Sequence, residues 1–241
     1  MITEQDNRID MLLVEVKALR RQMQALSAII AERVLPPAEV ESLVKGAWVN
    51  AQPNAGLTWN KEMTGDNFVA LMRRTAGESA KFGRVCEVGP GYGRVLRTIL
   101  GGAGAMDSYL GVDLSKANVE HLTKTFGGEN VRFMVGDFVK DDVPGQFDTV
   151  YSSAVFMHLY PSIEGALRKC MSLLAPGGRV CFDVSMGGQR YIDPQLQLYV
   201  RQYSEPELRE LVQQAGFSSF DIETEEEFAP GRKGLFVCAR K

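Results

Sequence analysis

Apolar residues recur with two different periods along this chain, and the longer period comes first. Every seventh residue from Ile2 to Ile30 is apolar, and leucines such as Leu12 and Leu19 lie between them. These are the spacings of the a and d positions of a heptad repeat, which predicts that residues 1–35 form a helix that pairs with a second copy of itself. The alternative is a single long helix that packs the same stripe against its own domain.

Two prolines, Pro36 and Pro37, separate this segment from the next one. Proline cannot continue the hydrogen-bond ladder of a helix, so the first helix is expected to end there. Residues 36–79 then contain two short helical patterns and a loop, with Trp48 and Trp59 as large amphipathic side chains, which predicts a helical linker or lid ahead of the main domain. A tryptophan is also a common core residue, so packing within this segment is the alternative.

From residue 80 onwards, short apolar runs alternate with segments that have apolar residues at helical spacing. Four such runs, at residues 84–88, 107–113, 131–136 and 144–153, each end near turn-forming or acidic residues. This alternation predicts an α/β fold for residues 80–241, built on a doubly wound, mostly parallel sheet of seven strands. The last two runs predict a C-terminal antiparallel hairpin that completes the sheet.

Three glycines at alternate positions follow the first of these runs. Gly89, Gly91 and Gly93 come directly after the acid Glu87 and a valine, and a helical pattern begins at residue 94. Such a strand-to-helix turn lets a ligand approach bare backbone. The spacing differs from the G-x-G-x-x-G of dinucleotide-binding turns, and no lysine follows as in a phosphate-binding loop. A tight turn that binds nothing is the alternative.

The next two predicted strands also end in acidic residues. Asp113 lies at the end of the second strand, 20 residues after Gly93, and Asp137 follows the third strand. A carboxylate at the tip of the second strand can accept both hydrogen bonds of a ribose diol. The sequence therefore predicts a ligand that contains a ribose, bound at the carboxyl ends of the strands.

Two further motifs lie downstream, Phe147-Asp148 at the fourth strand and Pro176-Gly177-Gly178 before the fifth. With the glycine turn and the acids, they resemble the motifs of the Rossmann-like (class I) S-adenosylmethionine (SAM) dependent methyltransferases. The resemblance covers roughly residues 80–241 and implies an enzyme with SAM as cofactor, in which Asp137 bonds the adenine amine and Phe138 covers the ring. The cofactor-binding residues that it implies are Glu87, Gly89, Gly91, Tyr92, Gly93, Asp113, Leu114, Asp137, Phe138 and Ser153.

Methyl transfer is an in-line displacement, and an oxygen acceptor also needs a base for its proton. His158, just past the fourth strand, titrates in the useful range, and Asp183 near the end of the fifth strand is a second candidate. Tyr151 can line the acceptor side. Each also has a structural alternative, since buried histidines, acids and tyrosines often serve only to hold the fold.

The acceptor pocket is expected between the fifth strand and the last helix, together with a lid near Trp59. Gln189, Arg190 and Tyr191 are polar or aromatic, which favours a hydroxylated small molecule, a sugar or a glycan over a lipid. Loops are polar by default, so the pattern leaves the acceptor and the attacked atom open.

Composition narrows the partners further. A net charge of −3 over 241 residues offers no basic surface for nucleic acid, and four scattered cysteines without a C-x-x-C pair disfavour a metal site. No apolar run reaches the roughly 18 residues of a membrane-spanning helix, and the N-terminus lacks a signal-peptide pattern. We therefore expect a cytoplasmic enzyme that forms a homodimer through its N-terminal helix.

Two other functions fit parts of the pattern. A nicotinamide-dependent reductase uses the same kind of sheet, although the glycine spacing and the closing hairpin disfavour it. A non-catalytic scaffold that keeps the SAM fold but works through its coiled coil is the second alternative.

Overall fold

A seven-stranded sheet forms the centre of the protein, whose computed structural model describes residues 16, 19, 33–53, 65–76, 81–192, 198–229 and 232–241. The strands in chain order are β1 (Lys81–Val88), β2 (Ala105–Asp113), β3 (Val131–Val135), β4 (Phe147–Ser152), β5 (Leu174–Ser185), β6 (Arg190–Ile192), β7 (Tyr199–Arg201), β8 (Ser219–Ala229) and β9 (Arg232–Arg240). The short strands β6 and β7 pair only with each other and lie outside the main sheet.

The strand order in the main sheet is β3-β2-β1-β4-β5-β9-β8. The pairs from β3 to β5 are parallel, whereas β9 runs antiparallel to both β5 and β8. The predicted α/β fold with a mostly parallel sheet and a C-terminal hairpin is thus confirmed. The strand order reverses between β1 and β4, and in open α/β sheets a ligand binds at the carboxyl ends of the strands beside such a reversal.

Helices cover both faces of the sheet. They are α1 (Pro37–Val49), α2 (Asp66–Ala76), α3 (Arg94–Thr98), α4 (Lys116–Phe126), α5 (Glu164–Leu173) and α6 (Glu205–Gln214). One core lies between the sheet and α5 with α6, and a second lies under α2 and α3. On α2, Phe68, Val69 and Met72 follow helical spacing and are buried, each with a stabilisation on the order of 2 kcal/mol. Within the described ranges, no helix is long and apolar enough to cross a membrane.

The helix after the glycine turn is shorter than the sequence pattern predicts. Apolar spacing continues to residue 100, but α3 ends at Thr98 and the chain leaves it through a π-helical turn, Ile99–Ala103. Gly102 in this turn has a φ of 100°, which glycine adopts without strain. The pair of glycines at 101–102 therefore ends the helix before the apolar pattern does.

The predicted heptad helix lies almost entirely outside the described residues. Of its a and d positions, Val16 and Leu19 are described; both are helical and expose 54% and 59% of their surface. Pairing through this helix stays a prediction.

Candidate active site

A cavity of about 480 Å³ opens at the carboxyl ends of the central strands, with α1 over it. Most of the residues that the sequence resemblance implied for the cofactor line it, namely Glu87, Gly89, Gly91, Tyr92, Asp113, Leu114, Asp137, Phe138 and Ser153. Gly93 instead precedes α3, and a Cβ at this position would lie 2.6 Å from the Phe126 ring. Glycine there allows the turn to pack closely against α4.

Bare backbone reaches the cavity at the glycine turn. Gly91 has a φ of 58°, and a Cβ added to it would meet no atom within 4 Å, so a side chain would project into open space. At Gly89, with a φ of 68°, a Cβ would lie 2.7 Å from the side chain of Val155. Both residues need the left-handed conformation that glycine adopts freely. The turn therefore leaves room for a ligand against the main chain.

The Glu87 carboxylate is held from both neighbouring strands. The hydroxyl of Tyr109 on β2 donates to its Oε2 at 2.5 Å, and the hydroxyl of Tyr151 on β4 donates to the same oxygen at 2.7 Å. Burial raises the pKa of Glu87 to about 7, although both hydrogen bonds oppose that shift. Tyr151 is fully buried and is not among the described residues that line the cavity, so its geometry fits a structural role rather than the acceptor side.

Asp113 joins the end of β2 to the glycine turn. Its Oδ2 accepts a hydrogen bond from the Gly91 amide at 3.0 Å, and its Oδ1 accepts from the Ser115 amide at 2.8 Å and from Asn118 Nδ2 at 3.3 Å. Burial raises the pKa of Asp113, and these three bonds oppose the shift. A carboxylate has about four acceptor positions, so one on Oδ2 is open to a ligand hydroxyl, and a diol would make its second bond by displacing the long one from Asn118.

Asp137 stands at the end of β3 and contacts the helix that covers the cavity. Its Oδ1 accepts a hydrogen bond from the Val139 amide at 3.0 Å, and its Oδ2 pairs with the ammonium of Lys45 on α1. Phe138 beside it is 5% exposed and lines the cavity.

Among the residues that the structure describes, no group of three His, Cys, Asp or Glu side chains could hold a metal ion.

Helix α1 forms part of the cavity wall through Lys45 and Trp48. Past its end, the carbonyl of Ala51 accepts a hydrogen bond from Ser115 Oγ at 2.6 Å. The part of the predicted lid that contains Trp59, residues 54–64, lies outside the described residues. Sequence reasoning did not identify Lys45, since nothing in its surroundings marks it apart from other helix lysines.

His158 lines the cavity in a defined tautomer. Its Nδ1 lies 2.6 Å from the carbonyl oxygen of Tyr199, which can only accept, so Nδ1 carries the hydrogen and Nε2 carries the lone pair. Burial lowers the pKa of His158 to about 4, and the bond to Tyr199 opposes this shift. The imidazole lies 4.8 Å, between ring centroids, from the Trp48 ring. It is therefore neutral near pH 7 and able to accept a proton.

Asp183 lies behind the cavity wall and bonds to the loop after β4. Its Oδ2 accepts a hydrogen bond from Ser153 Oγ at 2.9 Å, and its Oδ1 accepts one from the Ala154 amide. Burial raises the pKa of Asp183 to about 6. Arg94 Nη2 donates to the same Ser153 hydroxyl at 2.7 Å and lines the cavity. Sequence reasoning missed Arg94, for which the only signal was its position directly after the glycine turn.

A second buried acid, Glu225 on β8, lies near Asp183. Its Oε1 has no hydrogen-bond partner among the described residues, whereas its Oε2 accepts from Asn67 Nδ2 at 3.4 Å. Burial, and then repulsion from Asp183, raise the pKa of Glu225 to about 8 from 4.5. Between pH 4.5 and about 8, Glu225 binds more protons in the folded protein than in the unfolded chain. The contribution of Glu225 to the free energy of unfolding therefore falls as pH rises through this range.

We expect Glu225→Gln to stabilise the protein by about 2 kcal/mol at roughly pH 9 and by much less at about pH 5, because the variant never buries this charge. Urea unfolding of wild type and variant at both pH values measures the difference. Glu223→Gln is the matched control, since Glu223 lies on the same strand but its side chain is 41% exposed beside Arg74. An equal gain at both pH values would contradict the assigned protonation.

Three of the four residues predicted for the acceptor, Gln189, Arg190 and Tyr191, lie at the β6–β7 pair, apart from the described residues that line the cavity. Arg190 is exposed, the main-chain carbonyl of Gln189 accepts a hydrogen bond from the Gln202 amide at 2.7 Å, and the Tyr191 hydroxyl accepts from Arg232 Nη1 at 3.2 Å. The cavity wall comes instead from α1 and from the segment after β4.

The sheet reversal, the bare glycine turn and carboxylates at the ends of two adjacent strands define a Rossmann-like enzyme that binds a nucleoside-containing cofactor.

Residues 85–178 match a family model described as "Methyltransferase domain". This match, together with the similarity to solved methyltransferases, identifies a SAM-dependent methyltransferase whose cofactor is SAM. A nicotinamide-dependent reductase is therefore no longer a competing interpretation.

Solved methyltransferase structures resemble the chain over most of its length. The Burkholderia thailandensis 1,6-didemethyltoxoflavin-N1-methyltransferase, with bound 1,6-didemethyltoxoflavin and S-adenosylhomocysteine (SAH), is 25% identical, with a TM-score of 0.69 over 86% of this chain and 91% of that chain. The DhpI–SAH complex is also 25% identical, with a TM-score of 0.56 over 72% and 83%. A SAM-dependent methyltransferase from Mesorhizobium loti, 20% identical with a TM-score of 0.57 over 71% and 96%, shares the fold. No curated protein matches the chain.

Proposed function

We propose that the enzyme methylates a hydroxyl group of a small molecule and that His158 accepts the proton. The cavity carries this proposal, because its volume of about 480 Å³ lies within the range of small-molecule sites and α1 covers it. A folded macromolecule cannot enter such a space, and an extended glycan fits less well than a single sugar.

SAM supplies the methyl group on a positively charged sulfur. We assign its ribose to Asp113 and its adenine to Asp137, Phe138 and Leu114. Support comes from their shared position in one cavity wall and from the carboxylates, which accept hydrogen bonds from hydroxyl and amine groups. The turn at Gly89, Gly91 and Tyr92 presents main chain to the same ligand.

The amino-acid end of SAM is assigned to Glu87, Ser153 and Arg94, which also line the cavity. A guanidinium binds a carboxylate well, so Arg94 is suited to the carboxylate of the cofactor. Its bond to the Ser153 hydroxyl orients the two groups relative to each other.

His158 suits the role of base better than Asp183 does, because His158 lines the cavity whereas Asp183 bonds to Ser153 behind it. As the acceptor O–H bond breaks, the proton moves to Nε2, while Nδ1 stays bonded to the Tyr199 carbonyl. A pKa of about 4 keeps the imidazole unprotonated near pH 7, although it reduces the driving force for proton transfer.

A ring nitrogen is the second candidate for the methylated atom. The observation that favours it is the similarity, over 86% of the chain, to a methyltransferase described as acting at N1 of 1,6-didemethyltoxoflavin. A ring N–H also loses a proton on methylation, so the same role for His158 would apply.

A methyl-transfer screen tests the proposal. Methyl-labelled SAM is incubated with the enzyme and pairs of compounds, each pair a hydroxylated metabolite or sugar and its deoxy counterpart, beside N-heterocycles and long glycans. Label on the hydroxylated member alone supports the proposal. Label on a ring nitrogen favours the second candidate, and label only on polymers contradicts both.

We further propose that residues 1–35 form a dimerisation helix, residues 36–79 a lid and residues 80–241 the methyltransferase domain. Support for the dimer comes from Val16 and Leu19, which are heptad core positions and expose about half of their surface in the single chain. Two chains that pair there would bury this apolar area.

Val16→Lys with Leu19→Lys is expected to convert a dimer into a monomer, because two charges per chain would enter the core of the paired helices. Sedimentation velocity measures the mass. Lys17→Ala, outside the a and d positions, should leave the dimer intact. An unchanged mass for the double variant would mean that the chains associate elsewhere or not at all.

A further inference from the structure

An ion pair connects the helix over the cavity with the carboxylate assigned to adenine. The Lys45 ammonium pairs with Asp137 Oδ2 across 92 residues of sequence, and it also binds Glu41 Oε1 at 2.6 Å. The side chains of Lys45 and Asp137 are only 23% and 18% exposed. Ion pairs on an open surface contribute little, but a half-buried pair is less screened by solvent and holds its geometry better.

The same segment is tied to the carboxylate assigned to the ribose. Ser115 Oγ donates to the Ala51 carbonyl at 2.6 Å, and the Ser115 amide donates to Asp113 Oδ1 at 2.8 Å. The segment of α1 and the residues after it therefore contact the Asp137 carboxylate directly and reach the Asp113 carboxylate through Ser115. This pattern distinguishes α1 from a helix that merely covers apolar surface.

The bonds at Asp137 define how its carboxylate is oriented. The Val139 amide holds Oδ1 at 3.0 Å, Lys45 holds Oδ2, and the Asp137 amide itself donates to Asp141 Oδ2 at 2.8 Å. Lys45 is thus the only cation within salt-bridge distance of this carboxylate among the described residues. Two acceptor positions of the carboxylate stay available for a ligand.

We infer that Lys45 is a positioning residue for cofactor recognition: it holds the Asp137 carboxylate in the orientation that selects the adenine amine. This inference rests on the assignment of Asp137 to adenine proposed above. An ionised carboxylate only accepts hydrogen bonds, so it favours the N–H groups of the adenine amine and disfavours a carbonyl oxygen at the same place.

Two other roles for Lys45 make different predictions. If Lys45 only fastens α1, its loss weakens every nucleoside ligand by the same factor. If Lys45 competes with the adenine amine for Asp137, its loss strengthens SAH binding. Comparison of two nucleobases therefore separates the three roles. Only the inferred role predicts that loss of Lys45 lowers both the affinity for SAH and the selectivity for adenine.

The experiment compares SAH with S-inosylhomocysteine, which carries a carbonyl oxygen in place of the adenine amine. Calorimetry on the full-length protein gives both dissociation constants. The wild-type protein should bind SAH at least about tenfold more tightly than S-inosylhomocysteine, as expected for a hydrogen bond to a charged group. Lys45→Met should weaken SAH binding by about tenfold and bring the ratio of the two constants close to one, and Lys45→Arg should restore most of the selectivity.

Lys140→Met is the matched control, because Lys140 also binds Glu41, at 2.9 Å, but its side chain is 57% exposed and it does not line the cavity. It should keep the wild-type ratio. A Lys45→Met protein that keeps the wild-type ratio, or that binds SAH more tightly, overturns the inference while the proposed function stands. Wild type without selectivity removes the assignment of Asp137 to adenine and the inference with it, and absence of SAH binding removes the cofactor site altogether.

Discussion

Asp113→Ala is expected to weaken SAH binding by about 100-fold or more. The substitution removes the carboxylate to which we assign the two ribose hydroxyls, and each hydrogen bond to a charged group contributes about 1.5–3 kcal/mol. It also releases the Gly91 amide and the Ser115 amide, which the carboxylate now holds in place. Since about 1.4 kcal/mol corresponds to a factor of ten, two lost bonds suffice for this effect. Calorimetry with SAH measures it.

Asp107→Ala provides the control for this measurement. Asp107 lies on the same strand, is exposed and is far along the strand from its carboxyl end. Its replacement should leave the affinity for SAH unchanged. If Asp113→Ala binds SAH as tightly as wild type while remaining folded by circular dichroism, the ribose does not bind at the end of β2.

His158→Asn should lower the rate of methyl transfer by about 100-fold or more and leave SAH affinity unchanged. The asparagine amide can still donate to the Tyr199 carbonyl in place of Nδ1, so the local fold is kept, but no group replaces the Nε2 lone pair. A lost general base typically lowers the rate by this amount or more. Single-turnover transfer of labelled methyl to the acceptor found by screening measures the rate.

The same substitution at His121 on α4, the other histidine of the chain, is the matched control and should keep the wild-type rate. A His158→Asn enzyme with an undiminished rate would show that His158 is not the base. Asp183→Asn would then be the next variant to examine, since Asp183 reaches the cavity wall through the Ser153 hydroxyl.

The parts of the fold that follow from local pattern were predictable. The strand that ends at Asp113 and the helix capped by Ser204, whose Oγ accepts from the Glu207 amide at 3.4 Å, need only neighbouring residues for their recognition. The segment at 186–194 was harder. Polar composition suggested a substrate loop, whereas residues 190–192 in its described part form one strand of a small β pair, next to the main-chain bond between Gln189 and Gln202.

The site was predictable only where a residue follows directly from a strand end. Carboxyl ends of parallel strands meet at one edge, so Asp113 and Asp137 could be placed together from the sequence. Lys45 could not, because it reaches the cavity through the docking of a helix that precedes the sheet by more than 30 residues. Nothing in a lysine on a helix specifies such a long-range contact.

Glu87 lies where the two strands beside β1 each contribute a tyrosine hydroxyl to one carboxylate oxygen. Any exchange at this position would disturb the hydrophobic core that contains both tyrosines, whereas α1, which lines the cavity, contributes nothing to that core. Acceptor preference can therefore change, in nature or by directed evolution, through substitutions on α1. Substitution of the buried Glu87 would instead destabilise the fold. Libraries that aim to redirect the enzyme should randomise the rim and leave Glu87, Tyr109 and Tyr151 untouched.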